Sequence, residues 1–375
     1  MIKYLLLVLS VSFAFAKQEI KSSNIRILLE KKETQALLEV RGPYYIFNPY
    51  DHSRISSGIL SKRFIVRPIS TGIKWGQEFL GIHQILIVPR SKNTKILLNG
   101  IEYDGAIAIY KMQDKINVVN EIDIESYLKS TLSSSFDYPL EQEVMAAVAI
   151  AARTTAYFQI NKNSFWDIDK KDINYQGSAL TINDSNIVKA INDTSNIILL
   201  NNKKPFAALW NEHSAGKTAP LKVIFRKDLN APENYVETPH AALSKKDSLW
   251  EYSMALKKFS DLFEFNKVES IKPFQDEKTN KIYAIRLEGN EETKDINFLD
   301  LQKKLKPENL KSNDFVFSIE NNKIYFKGYG IGHGVGICLL SASQKAQNGE
   351  DAAKILSTFY PNTEIVNISS KKSKK

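Results

Sequence analysis

The chain has 375 residues, 43% of them hydrophobic and 25% charged, with a formal net charge of +9. That composition excludes a disordered or low-complexity chain and suits one large domain or two modest ones. The basic excess fits anionic partners such as wall polymers, membrane surfaces or nucleic acid, but lysine is spread along the whole chain, so a merely solvated surface is the simpler reading.

Residues 1–16 read as a secretion signal. Lys3 supplies the positive start, residues 4–13 form an apolar run too short to span a bilayer, and Ala14-Phe15-Ala16 gives a small-x-small cleavage pattern. The alternative is an uncleaved N-terminal anchor. No later segment approaches about 18 uninterrupted apolar residues, so no transmembrane segment is expected in the mature chain. A single cysteine, Cys338, rules out an intramolecular disulfide, so an exported chain must rest on its core.

Residues 17–60 form a β-rich N-terminal segment, with alternating runs at 25–29 and 36–40 and a break at Gly42-Pro43. Strands follow at 82–89 and 95–98. Asn99-Gly100 predicts a hairpin turn, because both residues tolerate positive φ. Further strands are expected at 106–110 and 116–119. At Glu141 the texture changes: residues 145–152 are apolar nearly all round, which predicts a helix buried on most sides. Pro139 stands just ahead, and Glu141 and Glu143 fall in the first turn, where carboxylates favour the helix dipole. Strands are predicted at 197–200 and 206–210, joined as a hairpin at Asn201-Asn202, and again at 283–287 and 323–326. The charged stretch 240–322 reads as a surface insertion or subdomain. Residues 339–358 read as one or two helices interrupted at Asn348-Gly349, and 367–375 as a basic disordered tail. The fold class is α+β, rich in strands, with a central buried helix.

Several blocks, in order, resemble the SpoIID/LytB family of stage II sporulation protein D and the amidase enhancers. They are LNGIEYDG at 98–105, VVNEIDIESYLK at 118–129, EVMAAVAIAART at 143–154, YQG at 175–177, residues 190–200, HSAGKT at 213–218, GYGIGHGVGI at 328–337 and FYPNT at 359–363. The resemblance spans roughly residues 61–366. It implies an exported protein of the periplasm or cell wall that acts on peptidoglycan glycan strands. One branch cleaves them as lytic transglycosylases; the other enhances a partner N-acetylmuramoyl-L-alanine amidase. No cofactor, metal or nucleic acid is implied.

Cleaving a glycosidic bond this way needs a carboxylic acid that protonates the leaving oxygen and stays protonated near neutrality through partial burial. The family's catalytic glutamate lies eight residues before the one that opens the buried helix. Here Ser135 holds that position, and a hydroxyl is far too weak an acid for the task. Asp137 is two residues away and Glu143 (with Glu141) lies in the helix's first turn; each is a candidate acid, and each has a plainer reading as a capping or first-turn carboxylate. After His333 the family's polar run is replaced by Cys338-Leu339-Leu340-Ser341, which suggests a more apolar groove. Both departures favour a non-catalytic glycan-binding scaffold, set against an active enzyme.

The resemblance offers Arg153, Tyr175, Gly216, Thr218, Gly332 and Gly334 as substrate-binding residues, with His333 as a sugar contact or an orienter of the acid. Arg153 has a competing reading as an internal ion pair with Glu121 or Glu125, and His333 one as a structural histidine. Tyr103, Tyr127, Tyr157 and Tyr175 either stack on sugars or pack in the core. His213 lacks companions suited to zinc, so no metal is expected there.

Overall fold

A computed structural model describes residues 24–369 except 134, 137–139, 174, 180, 184 and 291. The predicted secretion signal, residues 370–375 of the predicted basic tail, Pro139 and the candidate acid Asp137 lie outside the described residues; the tail's first residues are ordered instead, Asn367 ending the strand Glu364–Asn367 and the Ile368 N–H donating to the Asn196 carbonyl at 2.9 Å.

The structure is α+β. Its first half is two antiparallel-dominated sheets packed face to face. One holds seven strands in the order Ile168–Asp169, Asn24–Glu33, Lys115–Asp123, Ala106–Met112, Gln84–Pro89, Tyr44–Phe47, Arg54–Gly58. The other holds six, in the order Ile101–Tyr103, Lys95–Leu98, Ala36–Arg41, Lys62–Ile69, Gly72–Trp75, Gln77–Leu80. Period-two alternation sets the faces. Ile25, Ile27 and Leu29 point into the main core with Leu38, Val40 and Ile107, whereas Leu28, Ala108 and Val119 join a smaller cluster on the outer face. Residues 24–58 therefore supply strands to both sheets. Asn99 and Gly100 turn the chain at φ 50° and 88°, as their types require.

The strand Lys115–Asp123 runs directly into the helix Ile124–Leu132, capped by Asp123, whose carboxylate accepts the Ser126 N–H at 2.9 Å. The predicted buried helix is Gln142–Gln159; from Val144 to Ala152 every residue is buried. It packs against the helices Asn186–Asp193, Leu339–Gln347 and Ala352–Phe359 and the strand Ile197–Leu200. Small alanines let these elements approach closely around it.

The strand expected at 206–210 does not form; only Trp210–Asn211 is extended in a ladder, parallel to Ile337–Cys338. Side chains and loops take up the backbone instead: Ala207 N–H donates to the Leu229 carbonyl, and Thr155 Oγ1 bonds both the N–H and the carbonyl of Ala208. The Asn201-Asn202 hairpin shrinks accordingly to one Asn201–Lys204 bridge, and Ile197–Leu200 pairs with Glu364–Asn367.

Between these elements, two three-stranded sheets and the helices Leu256–Leu262 and Phe298–Leu305 gather around their own apolar cluster, which includes Trp250, Phe259, Leu287, Leu301 and Phe326. No helix among the described residues is long and apolar enough to cross a membrane.

Candidate functional site

Two of the predicted motifs meet. His213 and Ile331 exchange backbone hydrogen bonds of 3.1 and 2.9 Å, and the Ala219 N–H donates to the Gly334 carbonyl at 2.9 Å. These bonds set the 213–218 segment, with Gly216 and Thr218, beside the glycine-rich 330–336 segment, with Gly332, His333 and Gly334. The glycines at 330, 332, 334 and 336 all have positive φ, so every second residue takes the left-handed region. At Gly334 a Cβ would press on the end of Lys281; at Gly336 it would strike the Leu209 carbonyl and the Tyr360 hydroxyl. Asn211, buried beneath, donates to the Val335 and Ile337 carbonyls at 3.0 and 3.2 Å, and Asn313 donates to the His333 carbonyl at 2.9 Å.

His333 is part-buried. Its Nδ1 accepts the Val335 N–H at 3.3 Å, and Phe225 meets its ring edge-on at 5.4 Å between centroids. Burial, then the nearby Lys281 charge, pushes its pKa down to about 4. The ring is thus neutral at pH 7, and with Nδ1 accepting, the hydrogen sits on Nε2. His333 is a hydrogen-bond donor here, not an acid.

His213 follows the same logic. Its Nδ1 accepts the Ala215 N–H at 3.0 Å, so the neutral ring carries its hydrogen on Nε2, 3.2 Å from Ser244 Oγ. Burial lowers its pKa, chiefly against the help of its Ser244 contact. Ser244 Oγ in turn donates to the His240 carbonyl at 3.0 Å. His213 therefore cannot accept the Ser244 proton, and the pair is not a nucleophile with its base.

Lys281 joins the loops to the segment that carries the second apolar cluster. It is 2% exposed, donates to the Ser214 carbonyl at 2.9 Å, and lies 4.0 Å from Asp314, which also pairs with Lys245. Burial lowers its pKa to about 8; Asp314 pulls it up and Lys245 pushes it down. The sequence gives no sign of Lys281, Asn313 or Asp314: one lysine among many, in a stretch of unassigned role.

Other predicted residues lie apart from these loops. Arg153 is fully buried. Its Nε and Nη2 form a two-pronged bond of 2.8 Å each to Glu125, and it donates to the Ile191 and Ile197 carbonyls at 3.1 Å. The internal ion pair of the competing reading is present, and every nitrogen of the fork has a partner inside the protein. Glu125, not Glu121, is the partner; Glu121 accepts from Asn24. Tyr175 is buried and donates to Asn120 Oδ1, within ring distance of Tyr103 (5.9 Å) and Tyr127 (6.2 Å). Tyr103, Tyr127, Tyr157 and Tyr175 are all core tyrosines. Cys338, Leu339 and Ser341 are buried too, so they do not make a groove apolar.

The acids separate as well. Ser135 is exposed and donates to the Thr131 carbonyl at 2.8 Å. Glu143 accepts the Ala352 N–H at 2.8 Å, fastening the start of the helix Ala352–Phe359. Glu141 accepts from Gln347 at 2.6 Å; desolvation raises its pKa, but bonds from Ser343 and Gln347 outweigh this and hold it below the usual carboxylate range. Among the described residues no group of three or more His, Cys, Asp or Glu is arranged to hold a metal ion.

A family model described as stage II sporulation protein, SpoIID, matches residues 112–200. An uncharacterized protein of Chlamydia pneumoniae is 31% identical over 50% of this chain and 71% of its own length. One of Chlamydia muridarum is 32% identical over 51% and 68%, and one of Brachyspira hyodysenteriae 28% identical over 94% and 95%. The chain belongs to the SpoIID/LytB family and is cell-wall related.

Proposed function

We propose that this protein is exported to the periplasm or cell wall and grips peptidoglycan glycan strands at the paired 213–218 and 330–336 loops without cutting them. Gly330 lets its segment lie against the His213 carbonyl, Gly216, Thr218, Gly332 and Gly334 line the paired loops, and the neutral His333 offers Nε2–H to an acceptor such as a sugar oxygen or an acetamide carbonyl. One observation carries the non-catalytic part. Of the acids near the family's acid position, the described ones are structural: Glu141 is held ionised and Glu143 fastens a helix, while Ser135 cannot donate a proton to a glycosidic oxygen. A gripping protein of this kind suits the amidase-enhancer branch, where a partner amidase does the cutting.

The test is co-sedimentation with purified sacculi. Wild type is expected to pellet with them, and His333→Ala to bind at least tenfold more weakly while remaining folded. Wild type that stays in the supernatant contradicts the proposal.

A further inference from the structure

A separate cleft of about 860 Å³ lies at one end of the seven-stranded sheet. Arg90 and Lys92 line one side and Asp104, Glu121 and Asp123 the other, with the Lys95–Glu102 ion pair (2.7 Å) beside Asp104. The strands Lys115–Asp123, Ala106–Met112 and Gln84–Pro89 are successive neighbours, so their ends stand about 10 Å apart from first to third at ~4.8 Å per strand. Glu121 and Asp123 close the first strand; Arg90 and Lys92 follow the third; Asp104 precedes the middle one. The side chains of Asp104 and Lys92 form no ion pair and no hydrogen bond among the described residues, and both are exposed to the cleft. Asp104's pKa is raised, by burial first and then by Glu102, with Lys95 opposing.

The floor is fixed rather than loose. Asn120, fully buried, donates to the Asp104 and Ala106 carbonyls at 2.8 and 3.0 Å, and itself accepts from Tyr175. Gly177 packs on the Glu102 carbonyl, to which the Ser178 N–H donates at 3.0 Å. The 175–177 turn thus buttresses the cleft wall from behind instead of touching a ligand itself.

We propose that this cleft binds a short amphoteric peptide, one carrying a free amine and a free carboxylate, with the amine toward Asp104, Glu121 and Asp123 and the carboxylate toward Lys92 and Arg90. A wholly anionic polymer would meet the acidic side. A bare cation finds no cluster of three ligands there. A molecule with both charges about 10 Å apart satisfies both ends. Peptides of this kind hang from wall glycan, so the inference rests on the wall-binding reading and adds a second, peptide-reading site to it.

The experiment is calorimetric titration with a lysine-containing tetrapeptide with free termini. Expected is saturable binding that weakens with added salt. It should also weaken at least tenfold when the peptide's amines are acetylated or its carboxylate is amidated, and tenfold in Asp104→Asn and in Lys92→Ala. Those exposed variants should still pellet with peptide-free glycan strands as wild type does. No binding of the free peptide, equal binding of the blocked peptides, or unchanged affinity in both variants overturns the proposal. Peptide binding by a wild type that ignores glycan strands overturns the glycan grip and leaves this site standing.

Discussion

Arg153→Met tests whether the central helix's arginine is structural or meets substrate. The substitution keeps the length of the apolar stem but removes the fork from a fully buried site. Glu125 loses its 2.8 Å partner bonds, and the carbonyls of Ile191 and Ile197 lose their donor. Breaking a buried pair by deleting one partner costs about 3–5 kcal/mol, because the remaining polar groups stay desolvated. Glu125 keeps some solvent contact, its side chain being 23% exposed, which places the cost toward the lower end. With an unfolding entropy of about 2 cal/mol/K per residue over roughly 340 residues, the melting temperature should fall by about 5 °C. Urea denaturation gives the free energy. The double variant with Glu125→Gln should cost less than the sum of the two single ones, since the pair acts as a unit. Folded Arg153→Met protein should bind sacculi like wild type. A loss below 1 kcal/mol together with lost binding would refute the internal assignment.

His333 gives a pH prediction with a definite sign. Its pKa falls from 6.5 to about 4 on folding, so the unfolded chain binds more protons between those values. Stability should therefore decline as pH drops through 6.5 and level off below 4, by up to about 3 kcal/mol, and His333→Asn should flatten that part of the urea-midpoint curve. Gly336→Ala should cost more than 3 kcal/mol, since its Cβ meets backbone and its φ is 70°, whereas Gly349→Ala, at φ 85° with open space around it, should cost about 1 kcal/mol; thermal melts of both separate steric collision from backbone strain. Glu143→Gln keeps an oxygen for the Ala352 N–H and should change neither sacculus binding nor melting temperature measurably, while Glu143→Ala should lose about 1 kcal/mol.

Much of the fold is legible in the sequence because local signals and burial agree. The apolar run 145–152 must be enclosed, and Asn99-Gly100 must turn. The 206–210 run misleads because it is apolar enough for a strand, yet Thr155 and the Leu229 carbonyl satisfy its backbone before another strand can. At the candidate site, the two motifs are visible as glycine and histidine patterns, but their meeting depends on long-range bridges such as His213–Ile331. Arg153 and Tyr175 carry the residue types of a binding site, and only burial reveals that their polar groups face inward. Lys281 is invisible for the opposite reason: nothing about a lysine in a lysine-rich chain announces that it will be desolvated.

The most direct measurement is a product assay on glycan strands stripped of stem peptides, following anhydro-muramic ends by mass spectrometry while the bound fraction is monitored. The account predicts bound protein and no new anhydro ends after prolonged incubation. Steady release of such ends by wild type, abolished by Asp137→Asn or any other single acid replacement, would contradict it.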